Sequence, residues 1–155
     1  MNEANIKEVI NTAKEQIGKP YKYGARPEDA PDFFDCSSFV QWVFKQVGVS
    51  LPRTCLEQAE VGREVPLEDI QPGDVVFLKG EIGRYNKSFP DGVGHAGIYI
   101  GDNKIIHAER DRVVNDLYDP SKIKEAGDVR SEELKSLIKR KKLVIIRRYF
   151  GNGEE

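Results

Sequence analysis

Across residues 6–17, apolar side chains recur at Ile6, Val9, Ile10, Ala13 and Ile17, a helical spacing that Gly18-Lys19-Pro20 brings to an end. Residues 19–34 mix Pro, Gly, Asp and aromatics without a period and are expected to form an ordered loop. The helical period returns at residues 36–47, where Phe39, Val40, Val43, Phe44 and Val47 form one apolar stripe, with Asp35 at the N-cap and Gly48 at the stop. Thr54, with Glu57 three residues on, has the form of a capping box and predicts a short third helix to about Val61. Downstream the pattern changes. Residues 74–78, 95–100, 104–108 and 143–149 are short and β-branched, as strands are, whereas 131–139 reads as a helix capped by Ser131. Helices first and strands after predict an α+β domain, its N-terminal helices packed on one face of a central antiparallel β-sheet.

The 155 residues fit a single domain, 1–155, long enough to bury a core. Lys+Arg (24) nearly balances Asp+Glu (26), so a nucleic-acid partner has no global electrostatic support. The basic run Lys139, Arg140, Lys141 and Lys142, followed by Arg147 and Arg148, reads as a solvated helix end. No stretch approaches the ~20 apolar residues of a membrane span. The N-terminus, MNEANIKEVI, lacks the basic start and apolar core of a secretory signal. A chain complete as written is therefore expected in the cytoplasm, and one that has lost a leader or anchoring domain in the cell wall or outside the cell. Cys36 and Cys55 can form one disulfide in principle, but a chain of this size requires none.

The stretch DCSSFVQWVF puts Cys36 in the first turn of the second predicted helix. Free N–H groups and partial positive charge favour an anion there, and the thiolate is the reactive form of cysteine. Asp35 opposes this unless its side chain is turned to cap the helix. Position alone leaves a nucleophile and a buried structural thiol both open. A cysteine nucleophile needs a base, and the base an orienting partner. The chain has only two histidines, His95 and His107, and both fall in GHAGIYIGDNKIIHAE among the small residues Gly94, Ala96, Gly97 and Ala108, which leave room for another element to approach. A zinc site of Cys36, Cys55, His95 and His107 has the right ligand number, but its spacings match no compact zinc motif.

DCSSFVQWVFKQVGVSLPRT, QPGDVVFL and GVGHAGIYIGDNKIIHAE, preceded by IGKPYKYGA, resemble the ordered blocks of the NlpC-type cell-wall cysteine peptidases. The resemblance spans roughly residues 5–110, with a looser echo in VIIRRYF. It implies a papain-like fold and a hydrolase cutting peptidoglycan stem peptides or muropeptides at the γ-D-glutamyl to diamino-acid bond, through a thioester. It further implies Cys36 as nucleophile, His95 as general base and His107 as the residue orienting it. Tyr23 would border the site and help hold the oxyanion. Asp35, Ser38, Arg53 and Cys55 would lie on the substrate-binding side, with Asp35 taking the substrate's free amine. No metal or organic cofactor is implied.

Three departures stand out. Ser38 occupies a position where the family usually has glycine, and Cys55 one where it has serine. Segments 79–92 and 109–142 are longer than the family core and could narrow the cleft or recognise a partner. An amidase, acyltransferase or deamidase using the same site, or a binding module without turnover, are the rival readings. The spacing of the two histidines also sets a geometric condition. A plain two-residue turn at Asp102-Asn103 would pair Ile98 with His107 and leave the imidazoles on opposite faces. The sheet is therefore expected to depart from that turn, or to twist enough to bring the rings together.

Overall fold

The computed structural model describes residues 3–80, 84–114 and 123–150. Helices α1 (Glu3–Glu15), α2 (Cys36–Lys45) and α3 (Cys55–Ala59) form where the apolar period places them. Each ends two residues before its predicted limit, and Ile17 lies on the surface. Asp35 caps α2 as expected: its Oδ1 accepts the Ser38 backbone N–H at 2.8 Å, and its own N–H donates to Ser38 Oγ at 2.9 Å. That reciprocal box satisfies two donors at the helix start.

Six antiparallel strands follow: β1 (Arg63–Glu64), β2 (Val75–Leu78), β3 (His95–Gly101), β4 (Lys104–Val114), β5 (Ile123–Glu133) and β6 (Leu143–Arg148), in the order β1-β6-β2-β3-β4-β5. Every β2 side chain is buried. Val75 and Phe77 join Val9, Phe39, Val43 and Phe44 in the core beneath α1 and α2. Val76 and Leu78 point the other way and pack with Ile105, Leu134 and Leu137. Leu134 and Leu137 belong to a fourth helix, α4 (Leu134–Lys141), so helices cover both faces of the sheet and not one. No described helix is long and apolar enough to cross a membrane.

Two expectations for the C-terminal half are corrected. Ser131 caps no helix, because β5 runs on to Glu133 and α4 begins only at Leu134. The free N–H groups of that helix are met from across the sheet: Asn103 accepts from Leu134 with its carbonyl and from Lys135 with its side chain. Segment 109–142 is likewise no loop insertion. It extends β4 and supplies β5 and α4, although residues 115–122 of it, like residues 81–83 of segment 79–92, lie outside the described residues.

The β3–β4 hairpin meets the geometric condition. Asp102 and Asn103 turn with positive φ (51° and 60°), and Gly101 pairs with Lys104. A register shift between Tyr99 and Gly101 then pairs Ile98 with Ile106 instead of His107. This one-residue slip turns His107 onto the same face as His95, diagonally across the strands. Gly97 makes the room, since a Cβ there would come within 3.0 Å of His107 Cβ.

Candidate active site

Three elements converge on Cys36. The first turn of α2 presents the thiol, the N-terminal end of β3 presents His95, and β4 presents His107 behind it. Cys36 Sγ lies 3.9 Å from the Gly94 carbonyl oxygen and 3.4 Å from Cys55 Sγ. His95 Nε2 and His107 Nδ1 are 2.8 Å apart, with the rings nearly perpendicular. Cys36 is partly exposed, His95 is buried, and His107 has no exposure.

This environment sets the charge states. A hydrogen bond from the Cys55 thiol pulls the Cys36 pKa down to about 5; burial opposes it, and the adjacent His95 assists it. The same bond holds the proton on Cys55, whose pKa is raised, and burial raises it further. Burial, followed by the positive charges of His95, Arg140, Arg130 and Lys141, lowers the His107 pKa to about 2. His107 is therefore a neutral imidazole across the working pH range. Cys55 thus acts as a proton donor to the reactive sulfur. Cys55→Ala should raise the pH midpoint of Cys36 alkylation by roughly one unit, because a thiol is a weak donor. Cys55→Ser, whose hydroxyl also donates, should keep most of the effect. Iodoacetamide labelling across pH, mapped by mass spectrometry, measures both.

Four further residues complete the site, none of them identified in the sequence reading. Glu132 Oε1 lies 3.0 Å from His107 Nε2. Glu109 Oε2 lies 3.5 Å from His95 Nε2 and 3.7 Å from His107 Nδ1. Arg140 bridges the two carboxylates, donating to Glu132 at 2.7 Å and also to Glu109. The run read as a solvated helix end is thus corrected: Arg140 turns into the site, and Arg148 pairs with the buried Asp74 at 2.8 Å. The fourth is Tyr21, half-buried, whose hydroxyl pKa is raised by burial first and then by the Cys36 charge. Its strand-like segment is strapped between β5 and Phe34 by bonds from Tyr21 N–H to Gly127 O (3.0 Å) and from Lys22 N–H to Phe34 O (2.9 Å). Two of them lay inside quoted motifs, Tyr21 in IGKPYKYGA and Glu109 at the end of GHAGIYIGDNKIIHAE, and that was the signal available in the sequence.

The remaining candidates divide into two groups. Tyr23 lines the cleft, but its ring is 60% exposed and carries the Arg110 guanidinium over its face at 5.0 Å. Asp35, Ser38, Arg53 and Cys55 lie behind the thiol. Arg53 donates to Asp35 Oδ2 at 2.7 Å, to Ser37 Oγ at 2.8 Å and to the Ala25 carbonyl. Ser38, turned back into the capping box, is directed away from the cleft and borders a separate hollow of about 390 Å³ lined also by Arg26, Trp42 and Lys45. The cleft itself, about 530 Å³, is lined by Tyr21, Tyr23, Cys36 and His95, with Arg84, Arg110, Arg140 and Lys141 against Glu109 and Asp111.

Metal-ligand character among the described residues is concentrated in His95, His107 and Glu109, whose donor atoms lie within 4.8 Å of one another. Arg140 and Lys141 sit against that same Glu109 on its Oε1, at hydrogen-bond distance and at 3.6 Å, so its charge is already balanced by two cations. The donor set suits a proton relay better than a metal.

A sequence profile of the NlpC/P60 family matches residues 18–145. A probable endopeptidase of Mycobacterium tuberculosis is 40% identical over 100 residues, covering 64% of this chain and 22% of the relative. The gamma-DL-glutamyl hydrolase of Bacillus subtilis is 38% identical over 112 residues, covering 71% of this chain and 25% of the relative. The chain thus spans about a quarter or less of the length of these two relatives. Among solved structures, an NlpC/P60 family protein from Bacillus cereus superposes with a TM-score of 0.71 at 26% identity, over 94% of this chain and 40% of the other. A Staphylococcus aureus protein described as similar to a lipoprotein of the same family gives a TM-score of 0.70 at 27% identity, over 98% and 43%.

Proposed function

The chain belongs to the NlpC/P60 family, and on that premise we propose that it is a cysteine peptidase cleaving peptidoglycan stem peptides at the γ-D-glutamyl to diamino-acid bond. The observation that carries the proposal is the acidic thiol of Cys36 at the edge of a cleft, with His95 beside it and His107 bonded to His95 at 2.8 Å. With His95 Nε2 committed to His107, Nδ1 is the ring atom left to serve the sulfur. The Cys36 thiolate attacks the amide carbonyl, and the proton held on His95 passes to the leaving amine. The backbone N–H of Cys36, at the start of α2, and the hydroxyl of Tyr21, which lines the cleft beside it, stabilise the oxyanion in this reading. Tyr21 takes this role from Tyr23, whose ring is exposed and engaged by Arg110. Water then hydrolyses the thioester, with His95 as base.

Charge in the cleft supports the substrate class. Arg84 and Arg110, with Arg140 and Lys141 behind them, suit a peptide bearing several carboxylates, as γ-linked stem peptides do. A relative named gamma-DL-glutamyl hydrolase supports a γ-glutamyl bond as the target. Asp35 Oδ2 carries only the Arg53 bond and so keeps a lone pair for a substrate ammonium, while its Oδ1 is spent on Ser38 and Ser37. Free tripeptide and tetrapeptide stems, their N-acetylated forms and intact cell wall, digested in parallel and read by mass spectrometry, test this reading. Free stems should be split after the D-glutamyl residue, and acetylation should lower kcat/KM by about tenfold or more, the worth of one charge-assisted contact. Equal cleavage of free and acetylated stems would remove Asp35 from substrate recognition. No cleavage of any stem would end the peptidase reading.

A further inference from the structure

We infer that Glu132 is a positioning residue: its carboxylate fixes His107 as the Nε2–H tautomer, and through it keeps His95 protonated on Nε2 with Nδ1 free for Cys36. The inference deepens the peptidase reading and rests on it for its consequence, but the geometry that carries it is separate. Glu132 is the residue opposite Ile105 in the β4–β5 register, just before α4 begins. Its Oε1 meets His107 Nε2 at 3.0 Å, and Arg140 holds the same oxygen at 2.7 Å.

A neutral imidazole carries one ring proton, and a carboxylate can only accept. The proton of His107 must therefore sit on Nε2, where Glu132 receives it. His107 Nδ1 is then an acceptor, and the 2.8 Å contact is satisfied only by an N–H on His95 Nε2. The opposite tautomer would set a ring lone pair against a carboxylate oxygen at 3.0 Å, on an imidazole that is itself fully buried. It would also force the proton of neutral His95 onto Nδ1, where it could no longer take the proton of Cys36. The charged form obeys the same rule: a His95 imidazolium needs a lone pair opposite its Nε2–H, and only the Nε2–H tautomer of His107 offers one. The other groups facing the pair do not set the tautomer. Glu109 Oε2 stands 3.5 and 3.7 Å from the two nitrogens, beyond the 2.8 Å contact the rings make with each other, and its other oxygen, Oε1, accepts from Arg140, while Arg130 and Lys141 act on His107 only by charge.

With two histidines in the chain, long-range 1H–15N spectra of the labelled protein read both rings directly. The expected pattern at pH 7 is a proton-bearing Nε2 and an unprotonated Nδ1 on His107. In Glu132→Ala that pattern should collapse into a mixture of tautomers, with Cys36 carboxamidomethylation at pH 6 slowed about tenfold, the scale of losing a residue that orients a functional imidazole. Glu132→Gln, whose amide carbonyl also accepts, should keep most of the rate. A wild-type His107 protonated on Nδ1 would overturn the inference, and that measurement needs no variant to fold. So would a His107 spectrum and labelling rate unchanged in Glu132→Ala. Both readings are made without substrate, so failure of stem-peptide cleavage would sink the peptidase reading and leave this one standing.

Discussion

Cys36→Ala should abolish stem-peptide cleavage, lowering kcat by about 10⁵-fold or more, the scale at which removal of a catalytic nucleophile leaves only binding and oxyanion contacts. The loss should fall on chemistry and not on the fold. Alanine is the best helix former, the Asp35–Ser38 box that starts α2 uses no atom of the Cys36 side chain, and the thiol is only partly buried. Circular dichroism and the urea midpoint should therefore stay close to wild type. His95→Ala should cost nearly as much, and the double variant little more than either alone, because nucleophile and base act as one unit. Measured kcat/KM on a defined stem peptide, with binding followed separately, checks the set. An additive double variant would mean that the two residues do not share the chemical step.

Arg53→Met should give the largest loss of stability among single changes near the cleft, about 2–4 kcal/mol by urea unfolding. The substitution keeps the length of the side chain but leaves Asp35 as a buried carboxylate without its cation, and strips partners from Ser37 Oγ and the Ala25 carbonyl. Uncompensated buried charge costs about 3–5 kcal/mol, and the partial exposure of Arg53 brings the figure down. Combining it with Asp35→Asn should recover part of the loss, since the amide still caps α2 and carries no charge to strand. A combined variant no more stable than Arg53→Met would show that Arg53 works through packing and not through the ion pair.

Much of the site was legible because its first half is written locally. An Asp at the N-cap, an apolar stripe from Phe39 to Val47, and a Gly at the stop identify α2 and place Cys36 at its head without knowledge of anything distant. The positions of His95 and His107 even required a departure from the plain turn, and the bulge at Tyr99–Gly101 is that departure. What could not be read was tertiary. Strand β5, IKEAGDVRSEE, shows no alternation of apolar and polar residues, because it is an edge strand; among its described side chains, Val129 is the one in the main core. Without β5 there is nothing to carry Glu132 to His107, 25 residues away in sequence. The start of α4 was misread for a related reason: Asn103, on a distant turn, does the capping that a local Ser131 was expected to do. Arg140 and Lys141 sat unnoticed in a run of four basic residues, where sequence offers no means of telling which of them face the cleft.

The central claim is that Cys36 rests as an activated thiolate paired with His95. Its most direct test is the rate of Cys36 carboxamidomethylation across pH 4–9, with the labelled peptide quantified by mass spectrometry to separate it from Cys55. The pH profile decides more than a rate at neutral pH, because a less basic thiolate is also a weaker nucleophile and part of its advantage cancels. A thiol of lowered pKa stays ionised above that value and loses its charge only as the pH falls through it. The expected profile is therefore a plateau from about pH 6 upward with a midpoint near 5. A midpoint near 8.5, where an ordinary cysteine titrates, would contradict the account.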